Sequence, residues 1–295
     1  MKNVLFSLLF FLGGCLGSFG AEVPVKVSTF STVLNEVAVR VGGEAAQVFG
    51  HIKPGSDPHD FEPKPSDLKR GSGADLVLLS AKHMEGYVGK LKDSTGGRVR
   101  IVEVGAQIPS LWVQKEGGGK ADREEDPHWW HSVENMRKAT QVVRDALAEL
   151  RPTQREFFKK NAEAYLDELS ELSKWSRKRV AELPRDRRKL VTSHDALQYF
   201  AKEHGFVIYP VEGMSAADQP SSKAVAELLK TIKSQQVRAV FSQDTVNPKV
   251  LRQITAETGA VLGGQLWVDG LGTGEAATYA GMMRHNVNTV VEALK

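Results

Sequence analysis

Residues 152–183 read PTQREFFKKNAEAYLDELSELSKWSRKRVAEL, with no glycine and no proline after Pro152. Within it Phe158, Ala162, Tyr165, Leu169, Leu172 and Trp175 recur at spacings of three and four, the period of one helix face. Such a helix spans about 45 Å at 1.5 Å per residue. Its remaining face is crowded with Lys, Arg and Glu, and two heptads of weak apolar character are too few for a coiled-coil seam. The stretch therefore predicts a rigid strut between two units.

On both sides of the strut, short runs rich in Val and Ile alternate with amphipathic stretches closed by glycine, the pattern of parallel α/β units. Before it, strands are expected at 23–28, 46–52, 74–80 and 99–104, with helices at 31–41, 66–70, 85–91 and 132–150. After it, strands are expected at 189–193, 206–209, 239–241 and 260–263, with helices at 195–204, 221–234, 248–258 and 276–294. The halves share an architecture but no residue-level repeat. The fold class is α/β, two lobes each with a mainly parallel sheet flanked by helices, joined by one long rigid helix. The expected division is a signal peptide at 1–21, a first lobe at 22–151, the linking helix at 152–183 and a second lobe at 184–295.

With 295 residues, 41% hydrophobic and 25% charged, the chain is globular in composition and long enough for two cores. Its 39 basic and 36 acidic residues give a net charge of +3, which excludes the basic bias of a nucleic-acid binder. The single cysteine, Cys15, excludes an internal disulfide and a multi-cysteine zinc cluster. Residues 1–20, MKNVLFSLLFFLGGCLGSFG, combine a basic start, a short apolar run and small residues, as a secretory signal does. Leu12-Gly13-Gly14-Cys15 resembles a bacterial lipobox, in which Cys15 would be acylated; a cut after Gly20 is the other reading. Either route takes the protein out of the cytoplasm, to the periplasm or to a lipid anchor at Cys15. No later apolar run reaches the ~18 residues that span a bilayer.

Eight histidines are present, and three stand in distinctive settings. His59 lies in Asp57-Pro58-His59-Asp60-Phe61-Glu62-Pro63, where prolines fix an extended turn beyond a strand. His128 lies in Asp126-Pro127-His128-Trp129-Trp130-His131, ahead of a helix. His194 follows the strand ending at Ser193. Ligands of open α/β sheets gather at the carboxyl ends of strands. Together these residues offer three imidazoles, a donor set suited to Zn²⁺, Cu²⁺ or Ni²⁺ rather than to Ca²⁺ or Mg²⁺. His131 reads as an exposed residue or one behind the site, with an auxiliary ligand as the other reading. Gln114 to Asp126, QKEGGGKADREED, reads as a mobile surface loop.

These motifs, with Pro65-Ser66-Asp67, Thr192-Ser193-His194 and the segment from Tyr279 to Asn286, resemble the metal-binding solute-binding proteins of ABC importers for zinc and manganese. The resemblance runs over nearly all of 23–295. It implies two lobes joined by a rigid helix with metal at their interface, and it assigns His59 and His128 as ligands from the first lobe and His194 from the second. In manganese members the last slot is typically Glu, so imidazole there moves the expectation to Zn²⁺ as cargo, with Mn²⁺ behind it. The family aspartate ligand has no counterpart at Ala277. Glu275 is the expected fourth ligand, with Asp60 or a water as alternatives and Asp269 less favoured. The implied partner is an ABC permease, and the chain is expected to be a monomer that binds neither nucleic acid nor, in its mature part, the bilayer interior. The rival reading is a secreted zinc hydrolase, since three histidines with an open position also form a catalytic arrangement. No His-Glu-x-x-His helix accompanies them.

Overall fold

The computed structural model describes residues 23–114, 122–214, 221–243 and 249–295. The signal segment with Cys15, and the glycine-rich core of the 114–126 loop, lie outside the described residues. The first half runs β1 (Val25–Thr29), α1 (Thr32–Gly42), β2 (Ala46–Gly50), α2 (Pro65–Ser72), β3 (Leu76–Leu79), α3 (Val88–Thr95) and β4 (Arg100–Glu103). A hairpin of β5 (Trp112–Gln114) and β6 (Arg123–Glu125) precedes α4 (Val133–Leu150). Then come α5 (Arg155–Val180), β7 (Lys189–Thr192), α6 (Gln198–His204), β8 (Val207–Pro210), α7 (Ser222–Ser234), β9 (Ala239–Gln243), α8 (Lys249–Thr258), β10 (Val261–Leu266) and α9 (Tyr279–Leu294).

The two four-stranded sheets have orders β2-β1-β3-β4 and β10-β9-β7-β8, and every neighbouring pair in them is parallel. Counted within its own half, each sheet has the order 2-1-3-4. The parallel arrangement follows from the helical crossovers, which return the chain to the same end of the sheet before each new strand. Central strands are buried on both faces, as Leu76 to Leu79 show, and so read as continuous apolar runs.

Helix α5 takes the expected stripe inward: Phe158, Ala162, Tyr165, Leu169 and Leu172 are buried. It lies against α1 and α4 of the first half and α9 of the second. At about 39 Å it is shorter than the strut expected over 152–183, because Pro152 to Gln154 form a separate 3-10 turn. One core unites the halves, running from Val25 and Val27 of β1 through Phe158 and Leu169 of α5 to Val287 and Val291 of α9.

Two expectations change. The stretch from Gln114 to Asp126 is not loop throughout, because its flanks pair as antiparallel β5 and β6. The last strand extends to Leu266 rather than ending at Gly263. A shift in its pairing lies between Leu262 and Gly264, and a Cβ on Gly263 would stand 2.6 Å from the Phe241 ring.

Candidate metal centre

Each functional side chain sits on a connection that leaves the carboxyl end of a strand, His128, His194 and Asp269 within three residues of it and His59 farther along. His59 is carried by the 51–64 connection that follows β2. Both ends of that connection are tied together, since His51 Nδ1 lies 3.1 Å from Asp67 Oδ1 and its ring stacks on Phe30 at 4.2 Å. Asp67 also accepts from the Lys64 backbone N–H at 2.9 Å, and Pro65 opens α2. Inside the connection, the His59 backbone N–H donates to Asp57 Oδ1 at 2.8 Å, the turn that an Asp two residues upstream favours.

His128 follows β6 and precedes α4. Its backbone N–H and its Nδ1 both meet Asp126 Oδ1 at 2.9 Å. The carboxylate holds the proton on Nδ1 and leaves Nε2 with a lone pair for a ligand. His194 follows β7. Gln243, at the end of β9, accepts from the His194 N–H at 2.8 Å and donates to its carbonyl at 3.1 Å, so neighbouring strands fix the residue.

The three imidazoles converge. His59 Nε2 and His128 Nε2 are 3.1 Å apart. Asp269 Oδ1 stands 3.2 Å from His194 Nε2 and 3.8 Å from Nε2 of both His59 and His128. One donor atom from each of the four lies within 4.8 Å of the others. A tetrahedral shell with bonds near 2.0–2.1 Å sets donor separations of about 3.3 Å, and the observed spacings bracket that value. Three nitrogens and one oxygen, nearly dehydrated, therefore fit a small divalent cation.

Electrostatics agree with this geometry. Burial disfavours charge on His59 and on His128, pushing both imidazoles down, His128 far down. Burial pushes the His194 imidazole down as well, but the Asp269 carboxylate outweighs it and leaves His194 raised to about 9. The three imidazoles in turn overcome burial at Asp269 and hold its carboxyl well below the usual carboxylate range. Burial drives Asp126 upward, opposed by the His128 N–H.

The structure brings a different carboxylate to the three histidines from the one expected. Glu275 is exposed in the 3-10 turn Gly274–Ala277, and Asp60 is exposed as well; neither belongs to the four-donor group. The carboxylate that stands beside the three imidazoles is that of Asp269, three residues beyond the longer β10. His131 is buried, and its Nε2–H donates to the Val268 carbonyl at 2.7 Å, so that nitrogen faces a backbone oxygen. Burial lowers its imidazole to about 4. The signal for Asp269 lay in the rule that selected the histidines, a polar residue shortly beyond a strand end.

A family model described as "ZnuA: Zinc-uptake complex component A periplasmic" matches residues 27–293. The manganese-binding lipoprotein MntA of Bacillus subtilis (strain 168) is 33% identical over 305 residues, covering 100% of this chain and 98% of its own. The iron-binding protein YfeA of Yersinia pestis is 31% identical over 269 residues, covering 90% of this chain and 85% of its own. The solved structure of the periplasmic zinc binding protein TroA from Treponema pallidum superposes with a TM-score of 0.83 at 28% identity, covering 92% of this chain and 99% of that one.

Proposed function

Because the chain belongs to the family of periplasmic zinc-uptake complex component A proteins, the solute-binding proteins of ABC metal importers, we propose that it captures Zn²⁺ through His59, His128, His194 and Asp269 and delivers it to a permease. Divalent metal is its cargo and its place is outside the cytoplasm. It is a binding protein and not an enzyme, which removes the hydrolase reading.

The observation that carries the zinc reading is the donor set: three buried or nearly buried imidazole nitrogens and one carboxylate oxygen, all within 4.8 Å. Nitrogen-rich, four-donor surroundings favour Zn²⁺ over the harder Mn²⁺, which prefers oxygen. The 33% identity to a manganese-binding lipoprotein supports the second reading, Mn²⁺ as cargo. The permease partner, a monomeric state and a lipid anchor at Cys15 belong to the same proposal.

The deciding experiment is a calorimetric titration of chelator-stripped protein with Zn²⁺ and with Mn²⁺, beside His59→Ala, His128→Ala and His194→Ala. One tight Zn²⁺ per chain, weakened by every substitution and not displaced by equimolar Mn²⁺, is expected. Displacement by Mn²⁺ transfers the function to manganese, and binding indifferent to the substitutions refutes the site. Acylated Cys15 in the membrane fraction, seen by mass spectrometry, checks the anchor.

A further inference from the structure

His128 belongs to the first lobe, yet tyrosines of the second lobe grip the main chain on both sides of it. Tyr199, on α6 shortly after His194, is 4% exposed, and Tyr279, the first residue of α9, is fully buried. The Tyr279 hydroxyl donates to the Trp130 carbonyl at 2.7 Å. The Tyr199 hydroxyl donates to the Asp126 carbonyl at 3.2 Å, has the Pro109 carbonyl in reach at 3.4 Å, and accepts from the Leu111 N–H at 3.0 Å. Asp126 and Trp130 stand two residues before and two residues after His128.

Both gripped residues also touch the His128 ring. Asp126 sets its carboxylate on Nδ1 while its carbonyl faces Tyr199, and the Trp130 indole meets the imidazole edge-on, with ring centroids 5.4 Å apart. A shift of either main-chain anchor is therefore passed to the ligand ring. The first lobe adds holds of its own, from the Asp126 N–H to the Leu111 carbonyl at 2.9 Å and from Trp129 Nε1 to the Ser80 carbonyl at 3.0 Å. Leu111 joins the two sets, since its N–H goes to Tyr199 and its carbonyl to Asp126. Farther from the site, the Tyr279 N–H donates to Glu36 Oε2 of α1 at 2.6 Å, and Glu36 Oε1 accepts from the Tyr165 hydroxyl of α5 at 3.0 Å.

We infer that Tyr199 and Tyr279 are positioning residues for His128, reaching it from the opposite lobe. The inference rests on the reading that His128 holds the metal. It gives lobe separation a second effect on the site: besides drawing His194 away, it breaks both hydroxyl contacts and frees the main chain that aims His128. Two ligands are then loosened by one movement.

Tyr199→Phe and Tyr279→Phe test this in the full protein, since each removes one oxygen and keeps the ring. Tyr165→Phe serves as the comparison, removing a buried hydroxyl between helices that does not touch the segment around His128. Zn²⁺ release into excess chelator is expected to quicken by about two- to tenfold in each of the first two, the worth of one hydrogen bond, and the visible spectrum of bound Co²⁺ should shift with it. Tyr165→Phe should keep the wild-type release rate and spectrum. Wild-type release and spectrum in either test variant, or equal changes in Tyr165→Phe, overturns the inference. Should Tyr279→Phe fail to fold, Tyr199→Phe decides alone.

A readout without metal separates this inference from the metal reading. In the metal-free protein the ¹H–¹⁵N resonances of the His128 ring are expected to move in Tyr199→Phe and Tyr279→Phe and to stay in place in Tyr165→Phe. Unmoved resonances in the first two overturn the positioning role. A wild type that takes up no metal, or a His128→Ala variant that binds Zn²⁺ as the wild type does, refutes instead the assignment of His128 as a ligand, and the role in metal release falls with it.

Discussion

His128 Nδ1 and Asp126 Oδ1 are 2.9 Å apart with both side chains fully shielded from solvent. The contact selects the tautomer that points a bare Nε2 toward the other donors. Asp126→Ala is expected to weaken Zn²⁺ binding by about 10- to 100-fold. Asp126→Asn keeps an acceptor at Oδ1 and should lose less. Chelator competition with both variants checks the order.

Proton release follows from His194. Its imidazole, raised to about 9 beside Asp269, carries a proton at neutral pH in the metal-free protein, whereas burial keeps His59 and His128 neutral there. Metal must displace the His194 proton. Apparent affinity should therefore rise about tenfold per pH unit up to roughly pH 9 and level off above it. This places acid sensitivity higher than the ordinary imidazole range near 6.5. Calorimetry at pH 7 in buffers of different ionisation enthalpy should return one proton released per Zn²⁺.

The fourth ligand is separable by substitution. Asp269→Ala is expected to reduce affinity by at least the ~100-fold that outer partners can cost. Glu275→Ala, at an exposed position outside the four-donor group, should leave Zn²⁺ affinity unchanged. Titrating the two variants side by side checks both statements.

Backbone strain supplies a stability test. Ala81, Lys82 and His83 have φ of 66°, 56° and 65°, three consecutive left-handed residues that each cost about 1–2 kcal/mol relative to glycine. His83 is exposed, so His83→Gly should stabilise the fold by about 1 kcal/mol. Ala81 is 4% exposed; Ala81→Gly also gives up a buried methyl of about 0.8 kcal/mol, so its gain should be smaller. Thermal melts of the two variants give the comparison.

Most of the architecture was legible because its causes are local. The α5 stripe is written in spacing, and the boundaries of β7, α4 and α7 fall within a residue or two of the expected positions, where Ser132 and Ser221 cap the two helices. The three histidines were legible from local settings too, His59 among prolines beyond a strand, His128 in a Pro-His-Trp-Trp run ahead of a helix and His194 directly after β7. What escaped depends on distant contacts. Asp269 was set aside for Glu275 because its place depends on contacts far apart in sequence: the strand continues to Leu266, the Val268 carbonyl accepts from Trp130 Nε1 and His131 Nε2, and the Leu271 N–H donates to Thr32 Oγ1. Pairing of β5 with β6 escaped because strands of three residues, Trp-Val-Gln and Arg-Glu-Glu, are too short to carry a periodicity. The run of left-handed residues is enforced by surroundings: Glu85 accepts from the Ser80 and Ala81 N–H groups at 2.5 and 3.0 Å, and Lys82 donates to the Ile108 carbonyl at 3.0 Å.

Exposure differs among the four donors: the His59 side chain retains 14% of its surface, against 0% for His128 and His194 and 1% for Asp269. The difference imposes an order in time. An ion arriving from solvent meets His59 first and surrenders its remaining water stepwise as it passes inward, and an ion departing along the same route parts from His59 last. His59 substitutions should then alter the rates of capture and escape together, whereas His194 substitutions should act mainly on how long the ion stays.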